Sequence, residues 1–187
     1  SEIAKSSLEL KQEIDEIKAY KSQKIRPQAL TDLEEKFKHL EKIDNLLSSL
    51  PLMKPIQFSR ITSKYGIRKH PKTKKYVKHH GIDMVSDINK KIHSSSMGIV
   101  VEAREHEYYG KVITINHGFG FSTRYAHLDE IYVEEGQYVD VSEVIGKQGN
   151  TGRSTSQHLH YEVRFKGRDL NPLTYINLAK KLDFSST

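Results

Sequence analysis

Between residues 98 and 165 one texture recurs four times. GIVVEARE (98–105), KVITINHG (111–118), FSTRYAHL (121–128) and HLHYEVRF (158–165) are rich in β-branched and aromatic residues, with partial alternation of polar and apolar side chains. That is the pattern of a strand whose two faces meet different surroundings. Turn signals separate the runs: Tyr109-Gly110, Gly118 and Gly120, Gly136, Gly146, and Gly149-Asn150-Thr151-Gly152. From Pro55 onward no segment carries a helix-length repeat until the tail after Pro172. These features predict a mainly β domain of roughly 120 residues, large enough to bury a core of its own.

The first 50 residues have a different period. Leu10, Ile14, Ile17 and Tyr20 recur at intervals of three and four, which predicts an amphipathic helix. Arg26-Pro27 interrupts it. Thr31 then stands as an N-cap, with Glu34 three residues on completing a capping box. Leu33, Phe37, Leu40, Ile43 and Leu47 form a second stripe that ends at Ser48-Ser49 and Pro51. The expected organisation is a helical hairpin or arm over 1–52, a β domain over 53–178 and a C-terminal tail over 179–187. Such an arm either packs on its own domain or offers a surface to a second copy or a partner.

Charge follows the same division. Lys and Arg total 30 against 24 Asp and Glu. Residues 1–50 hold nine basic and ten acidic side chains, leaving 21 and 14 in the remainder, a net of +7. A basic β domain suits nucleic acid, anionic lipid or a carboxylate-rich polymer such as peptidoglycan. Nucleic acid is set aside, because no aromatic platform interleaves with the Lys and Arg residues. The absence of cysteine excludes disulfides and thiolate metal sites. There is neither a transmembrane-length apolar run nor a signal peptide. A start at Ser1 is expected of a fragment or processed chain, with room for a membrane anchor upstream.

Two stretches carry metal-ligand chemistry. In QHLHYEVR (157–164) a strand places His158 and His160 on one face, and Leu159 and Tyr161 on the other. At a rise of about 3.3 Å per residue the two histidines lie about 6.6 Å apart at the backbone. One can hold a metal while the other reaches the water on it. In KHHGIDM (78–84), Asp83 adds an oxygen ligand of the kind zinc accepts beside histidine. Alternation groups His79 with Asp83 and puts His80 on the opposite face. Residues i and i+4 on a straight strand are about 13 Å apart, too far to share an ion, so the chain must bend and Gly81 is where it can. With a bend admitted, alternation no longer decides between His79 and His80.

His79-x-Gly81-x-Asp83, TRYAHL (123–128) and GNTGRSTSQHLHYEVR (149–164) together resemble the LytM/lysostaphin-type zinc endopeptidases of cell walls. GIRKHP (66–71), VEEGQYVDVSEVIGKQG (133–149) and NPLTYI (171–176) extend the likeness over about residues 56–177. It implies a LytM-type antiparallel β-sheet domain, barrel-sandwich-hybrid-like, behind an N-terminal α-helical arm. Residue by residue, it implies His79, Asp83 and His160 as zinc ligands, with His127 and His158 as the catalytic histidines. One departure is visible: Ser142-Glu143 stands where many relatives carry glycine and a polar residue, which affects a turn and no catalytic position.

The resemblance further implies hydrolysis of a peptide bond in peptidoglycan stem peptides or cross-bridges, rather than of the glycan. In a Gram-negative wall that bond is the D-Ala–diaminopimelate cross-link, which makes the enzyme a D,D-endopeptidase of the periplasm or cell envelope. There is no His-Glu-x-x-His helix to supply a glutamate base. His158 is therefore the candidate general base and His127 the residue that orients water or stabilises the oxyanion, with the two roles exchangeable. Unperturbed imidazoles near about 6.5 predict a near-neutral optimum. The arm resembles those of cell-shape-determining endopeptidases of helical bacteria, and is expected to contact envelope proteins or a second copy. The alternative is a non-hydrolytic LytM-fold scaffold that binds envelope partners through the arm. Among the other histidines, His39, His70, His93 and His106 are expected to be solvated, and His117 to be structural. His80 is expected to be an exposed or rim neighbour, Arg68 a surface residue, and Tyr125 either a cleft or a core residue.

Overall fold

A computed structural model describes residues 11–16, 27–69 and 75–182. The chain divides into two compact units, Ser1–Leu47 and Ser48–Thr187.

In the first unit, residues 11–16 are helical (α1), and α2 spans Pro27–Ser48. Pro27 begins α2. Its fixed φ and missing N–H suit the first turn, so Thr31 lies a turn inside the helix and is not its N-cap. The apolar stripe of α2 is exposed, Leu40 at 58% and Leu47 at 52%. Leu10, Ile17 and Tyr20 lie outside the described residues.

The second unit is antiparallel β. Its strands are β1 (Arg60–Ser63), β2 (Gly66–Lys69), β3 (Tyr76–His79), β4 (Ile82–Val85), β5 (Lys91–His93), β6 (Gly98–His106) and β7 (Gly110–Gly118). β8 (Phe121–Ile131), β9 (Tyr138–Val139), β10 (Val144–Gln148), β11 (Leu159–Phe165) and β12 (Arg168–Leu170) follow. Among the described residues a ten-stranded sheet runs β1-β4-β11-β8-β7-β6-β9, with β10 between β8 and β5 and with β12 on β11. β2 and β3 form a separate hairpin. Alternation explains the core. On β11, Leu159, Tyr161 and Val163 are fully buried among Ile82, Met84, Ile113, Ile115 and Tyr125, while His160, Glu162 and Arg164 point to the other face. Each such aliphatic side chain contributes about 1.5–3 kcal/mol on burial. The last element, α3 (Pro172–Leu182), starts on a helix-compatible proline, and Asn171 Oδ1 accepts the Leu173 N–H at 3.1 Å.

Two irregularities position the site. The pairing of β7 with β8 shifts register between Lys111↔Leu128 and Ile113↔Tyr125, and His127 within that bulge has φ 60°. Strict alternation would send His127 to the core face with Tyr125; the bulge turns it to the face of His160. Between β3 and β4 the chain passes from the hairpin to the main sheet, which brings the i and i+4 residues together. Gly81 serves there by closeness: a Cβ would collide with the Tyr161 carbonyl. Its φ is not left-handed.

Candidate metal centre and active site

His79 ends β3. Its Nδ1 lies 2.9 Å from the Lys64 carbonyl, which only accepts, so Nδ1 carries the proton and Nε2 presents a lone pair. Asp83 on β4 stands opposite His160 on β11 in the strand register. The three donor atoms converge: His79 Nε2 to Asp83 Oδ1 is 3.1 Å, His79 Nε2 to His160 Nδ1 is 3.1 Å, and His160 Nδ1 to Asp83 Oδ1 is 2.8 Å. All three side chains are buried. His79 Nε2 and the carboxylate oxygen are aimed at each other, so a cation lies between them, a proton that makes the contact a hydrogen bond or a metal ion that replaces it. Zinc bound at about 2.0–2.1 Å in tetrahedral geometry separates its ligand atoms by roughly 3.3 Å, a few tenths longer than this triangle. The N/O/N donor set, with one face left open, fits zinc, and it is the only such group of three among the described residues.

Behind His160 stands a residue that sequence reasoning missed. Glu162 Oε1 lies 3.0 Å from His160 Nε2 and accepts the Tyr109 hydroxyl at 2.9 Å. Arg164 Nη2 is 2.7 Å from Oε2 but out of line for a hydrogen bond. The signal was available: position 162 follows His160 by two on the same strand, so it shares the same face. Arg124 lies over the Tyr109 ring, 4.7 Å from its centroid, and pairs with Glu102 at 3.1 Å. This arrangement fixes the ring of His160 from behind, as carboxylate partners do for metal-binding imidazoles. Burial alone would raise Asp83, and its hydrogen bonds to His160 and His79 outweigh this and hold it well below the carboxylate range. Burial likewise disfavours the His160 cation, but Asp83 and Glu162 overcome it and raise that imidazole.

His127 and His158 reach the same place, one from the bulge in β8 and the other from the loop before β11. His127 Nδ1 is 2.9 Å from the Thr151 carbonyl, and His158 Nδ1 is 2.8 Å from the Ser156 carbonyl. Each imidazole therefore donates backwards through Nδ1 and offers Nε2 as an acceptor. The rings lie 4.8 Å apart, and His127 is 5.9 Å from the His160 ring. His158 Nε2 is 3.7 Å from Asp83 Oδ1. Burial pushes His127 down to about 4, so it differs from the unperturbed imidazole of the sequence expectation. A cleft of about 730 Å³ opens over all five residues.

The remaining histidines divide. His80 is half exposed, with Nδ1 3.2 Å from Asp169 Oδ1, and does not join the triangle. His39 is exposed, and His70 lies outside the described residues. His93 and His106 are not simply solvated. His93 Nδ1 donates to the Ser142 carbonyl at 2.8 Å, and His106 Nδ1 accepts the Tyr108 and Tyr109 N–H groups. His117 is buried between the Met97 carbonyl and Thr123 Oγ1, both at 2.7 Å. Tyr125 is a core residue, 5.4 Å from the Tyr161 ring; the bulge after it breaks the parity that would have placed it beside His127 in the cleft. Arg68 is exposed and lines the cleft.

Comparison with known proteins agrees with this geometry. The peptidoglycan DD-endopeptidase ShyA of Vibrio cholerae serotype O1 is 43% identical over 115 residues, which cover 61% of this chain and 27% of that protein. The DD-carboxypeptidase/endopeptidase Mpg of Neisseria meningitidis serogroup B is 38% identical over 122 residues, 65% of this chain and 28% of that protein. The chain thus spans less than a third of the length of these curated relatives. A zinc-containing peptidase from Vibrio cholerae matches in structure with a TM-score of 0.60 at 35% identity, over 67% of this chain and 38% of that chain. Residues 77–172 match the model described as Peptidase family M23. That segment, a little over half of the 187 residues, runs from the hairpin strand carrying His79 to the first residue of α3, and the chain belongs to peptidase family M23.

Proposed function

We propose that this chain is a zinc-dependent peptidoglycan hydrolase that cleaves a peptide bond in wall cross-links, as a D,D-endopeptidase on D-Ala–diaminopimelate bridges. The observation that carries the reading is the buried His79–Asp83–His160 triangle with two acceptor imidazoles, His127 and His158, beside it. Zinc held by those three residues supplies a Lewis acid that polarises the scissile carbonyl and brings the pKa of water toward about 7. His158 Nε2 takes a proton from the attacking water, and His127 Nε2 accepts its other hydrogen and so orients it. The same His158 proton passes to the diaminopimelate nitrogen as the C–N bond breaks, giving an amine and a carboxylic acid, which then ionises by releasing its proton to solvent. The backbone carbonyls of Ser156 and Thr151 hold both rings in the required tautomer throughout.

The +7 charge of residues 51–187 suits a polymer that carries free carboxylates, and the cell-wall relatives support a site of action in the cell envelope. Residues 53–178 would be the catalytic module. The helical arm, residues 1–52, would contact envelope proteins or a second copy through the exposed stripe of α2, with any membrane anchor lying upstream. No helix among the described residues is long and apolar enough to cross a membrane.

Digestion of purified sacculi with mass spectrometry of the products tests the reaction. Loss of cross-linked dimers with glycan chains intact is expected; new glycan ends with intact cross-links would refute it. His79→Ala, Asp83→Ala and His160→Ala are each expected to lose zinc. His127→Ala and His158→Ala should retain zinc and lose at least about a hundredfold in rate. Wild-type zinc content in His79→Ala with none in His80→Ala would overturn the ligand assignment.

A further inference from the structure

Four arginines of the β unit have carboxylate partners: Arg60 with Asp87, Arg104 and Arg124 with Glu102, and Arg164 with Glu162. Lys78, at the cleft rim, is engaged by Asp169 at 2.6 Å. Arg68 and Arg153 line the same cleft as the metal triangle. Among the described residues, neither guanidinium has a carboxylate within ion-pair distance. Two uncompensated guanidinium groups beside a reaction centre attract anions, and the planar fork matches a carboxylate.

The backbone places both groups. In the β2–β3 register Gly66 pairs with His79 and Arg68 with Val77, so alternation puts Arg68 on the same side of the hairpin as the ligand His79. Arg153 lies on another wall, the loop from β10 to β11. Its N–H donates to the Tyr108 carbonyl at 2.9 Å. Thr151 Oγ1 donates to the Leu128 carbonyl at 2.7 Å and accepts the Lys111 N–H at 2.9 Å. Gly152 lies against Gly110 so closely that a Cβ on either would collide with the other's loop. The loop carrying Arg153 is therefore set before a ligand arrives, which lowers the cost of binding.

We propose that Arg68 and Arg153 form a carboxylate-recognising subsite beside the metal centre, which makes the enzyme prefer a free-acid peptide to the same peptide with its carboxylates amidated. This rests on the peptidase reading above. The test uses the zinc-loaded full chain and a cross-linked muropeptide dimer, as the free acid and after carbodiimide amidation. Wild type is expected to show a KM at least about tenfold lower for the free acid. Arg68→Ala and Arg153→Ala should each raise that KM toward the value for the amide, and Arg153→Lys should recover part of the difference. Arg60→Ala, which removes a paired arginine outside the cleft, should keep the preference. Equal wild-type KM values for the two dimers, or variants impaired equally on both, overturn the proposal. Calorimetric binding of the monomeric tetrapeptide, as acid and as amide, separates the two failures. If wild type cleaves neither dimer the peptidase reading fails, and the subsite still stands or falls on whether the acid binds at least about tenfold more tightly than the amide and loses that advantage in the arginine variants.

Discussion

Ser142 holds a φ of 65°, in the left-handed region that costs a residue with a Cβ about 1 kcal/mol relative to glycine. Its side chain is exposed, while its backbone ties the turn, N–H to the Ser94 carbonyl at 3.0 Å and carbonyl to His93 Nδ1 at 2.8 Å. The serine thus occupies a turn built for glycine, which is where the sequence departed from its resemblance. Ser142→Gly is expected to raise stability by about 1 kcal/mol, read as a higher urea midpoint with zinc content unchanged; an equal or lower midpoint would refute the strain. Glu162 makes the opposite case, a buried charge that cannot be spared. Replacing it with Gln keeps an acceptor for His160 but leaves an amide beside Tyr109 and Arg164. Zinc affinity should fall about tenfold in Glu162→Gln and toward a hundredfold in Glu162→Ala, measured by chelator competition on protein whose circular dichroism is intact. Unchanged affinity in both variants would remove Glu162 from the positioning of His160.

At the scale of elements, the site hangs on one small hairpin. β3 belongs to a two-stranded sheet apart from the main one, yet it supplies His79 to a triangle whose other members are on β4 and β11. Asp169 on β12 fastens it, taking Lys78 at 2.6 Å, His80 at 3.2 Å and the Tyr65 hydroxyl at 3.2 Å. Two of these partners flank His79 in sequence. These contacts are partly exposed and individually weak, so Asp169→Ala should leave global stability within about 1 kcal/mol while speeding amide exchange in β2 and β3 and loosening zinc several-fold. Exchange as slow as wild type would show that the hairpin needs no such fastening. Here too lies the boundary of what sequence can reveal. Strands β6, β7, β8 and β11 were legible because each is a run of seven or more residues rich in β-branched and aromatic side chains between turn signals, and His158 and His160 because they share a parity. The bulge at His127 was not, since it arises from pairing between β7 and β8 and leaves no local mark. Asp169 was hidden for a related reason: it reaches Lys78 across some ninety positions of chain, a juxtaposition that only the assembled sheet creates. The start of α2 at Pro27 was hidden because a proline that breaks one helical pattern can also open the next helix, and the capping-box pattern of Thr31 and Glu34 points one turn too late.

For the molecule as a whole, folding stability depends also on polar groups buried away from the metal centre, His117 among them. Burial, only partly opposed by its hydrogen bond to the Met97 carbonyl, pushes its imidazole down to about 4 from 6.5. Nδ1 donates to that carbonyl, and Nε2 faces Thr123 Oγ1, which lies 2.9 Å from the Tyr125 hydroxyl, itself the acceptor of the Ser95 N–H. The chain of hydrogen bonds is complete with a neutral ring. Between pH 4 and 6.5 the unfolded chain protonates this histidine and the folded one does not, so the unfolded state binds more protons and stability rises with pH across that window. The contribution is complete above about pH 6.5 and drains away as the pH falls toward 4, amounting to roughly 3 kcal/mol for a shift of this size. His127 is depressed in the same direction, so wild type alone does not isolate the effect. His117→Gln removes the titration while keeping a donor and an acceptor. Urea unfolding of the chelator-treated protein at several pH values between 4 and 7 is expected to show a lower stability for His117→Gln at pH 7 and a shallower fall toward pH 4, with the two curves converging as the wild-type imidazole is forced to charge. Parallel curves across the whole window would show that His117 is already protonated in the fold, or that it binds its proton equally in both states.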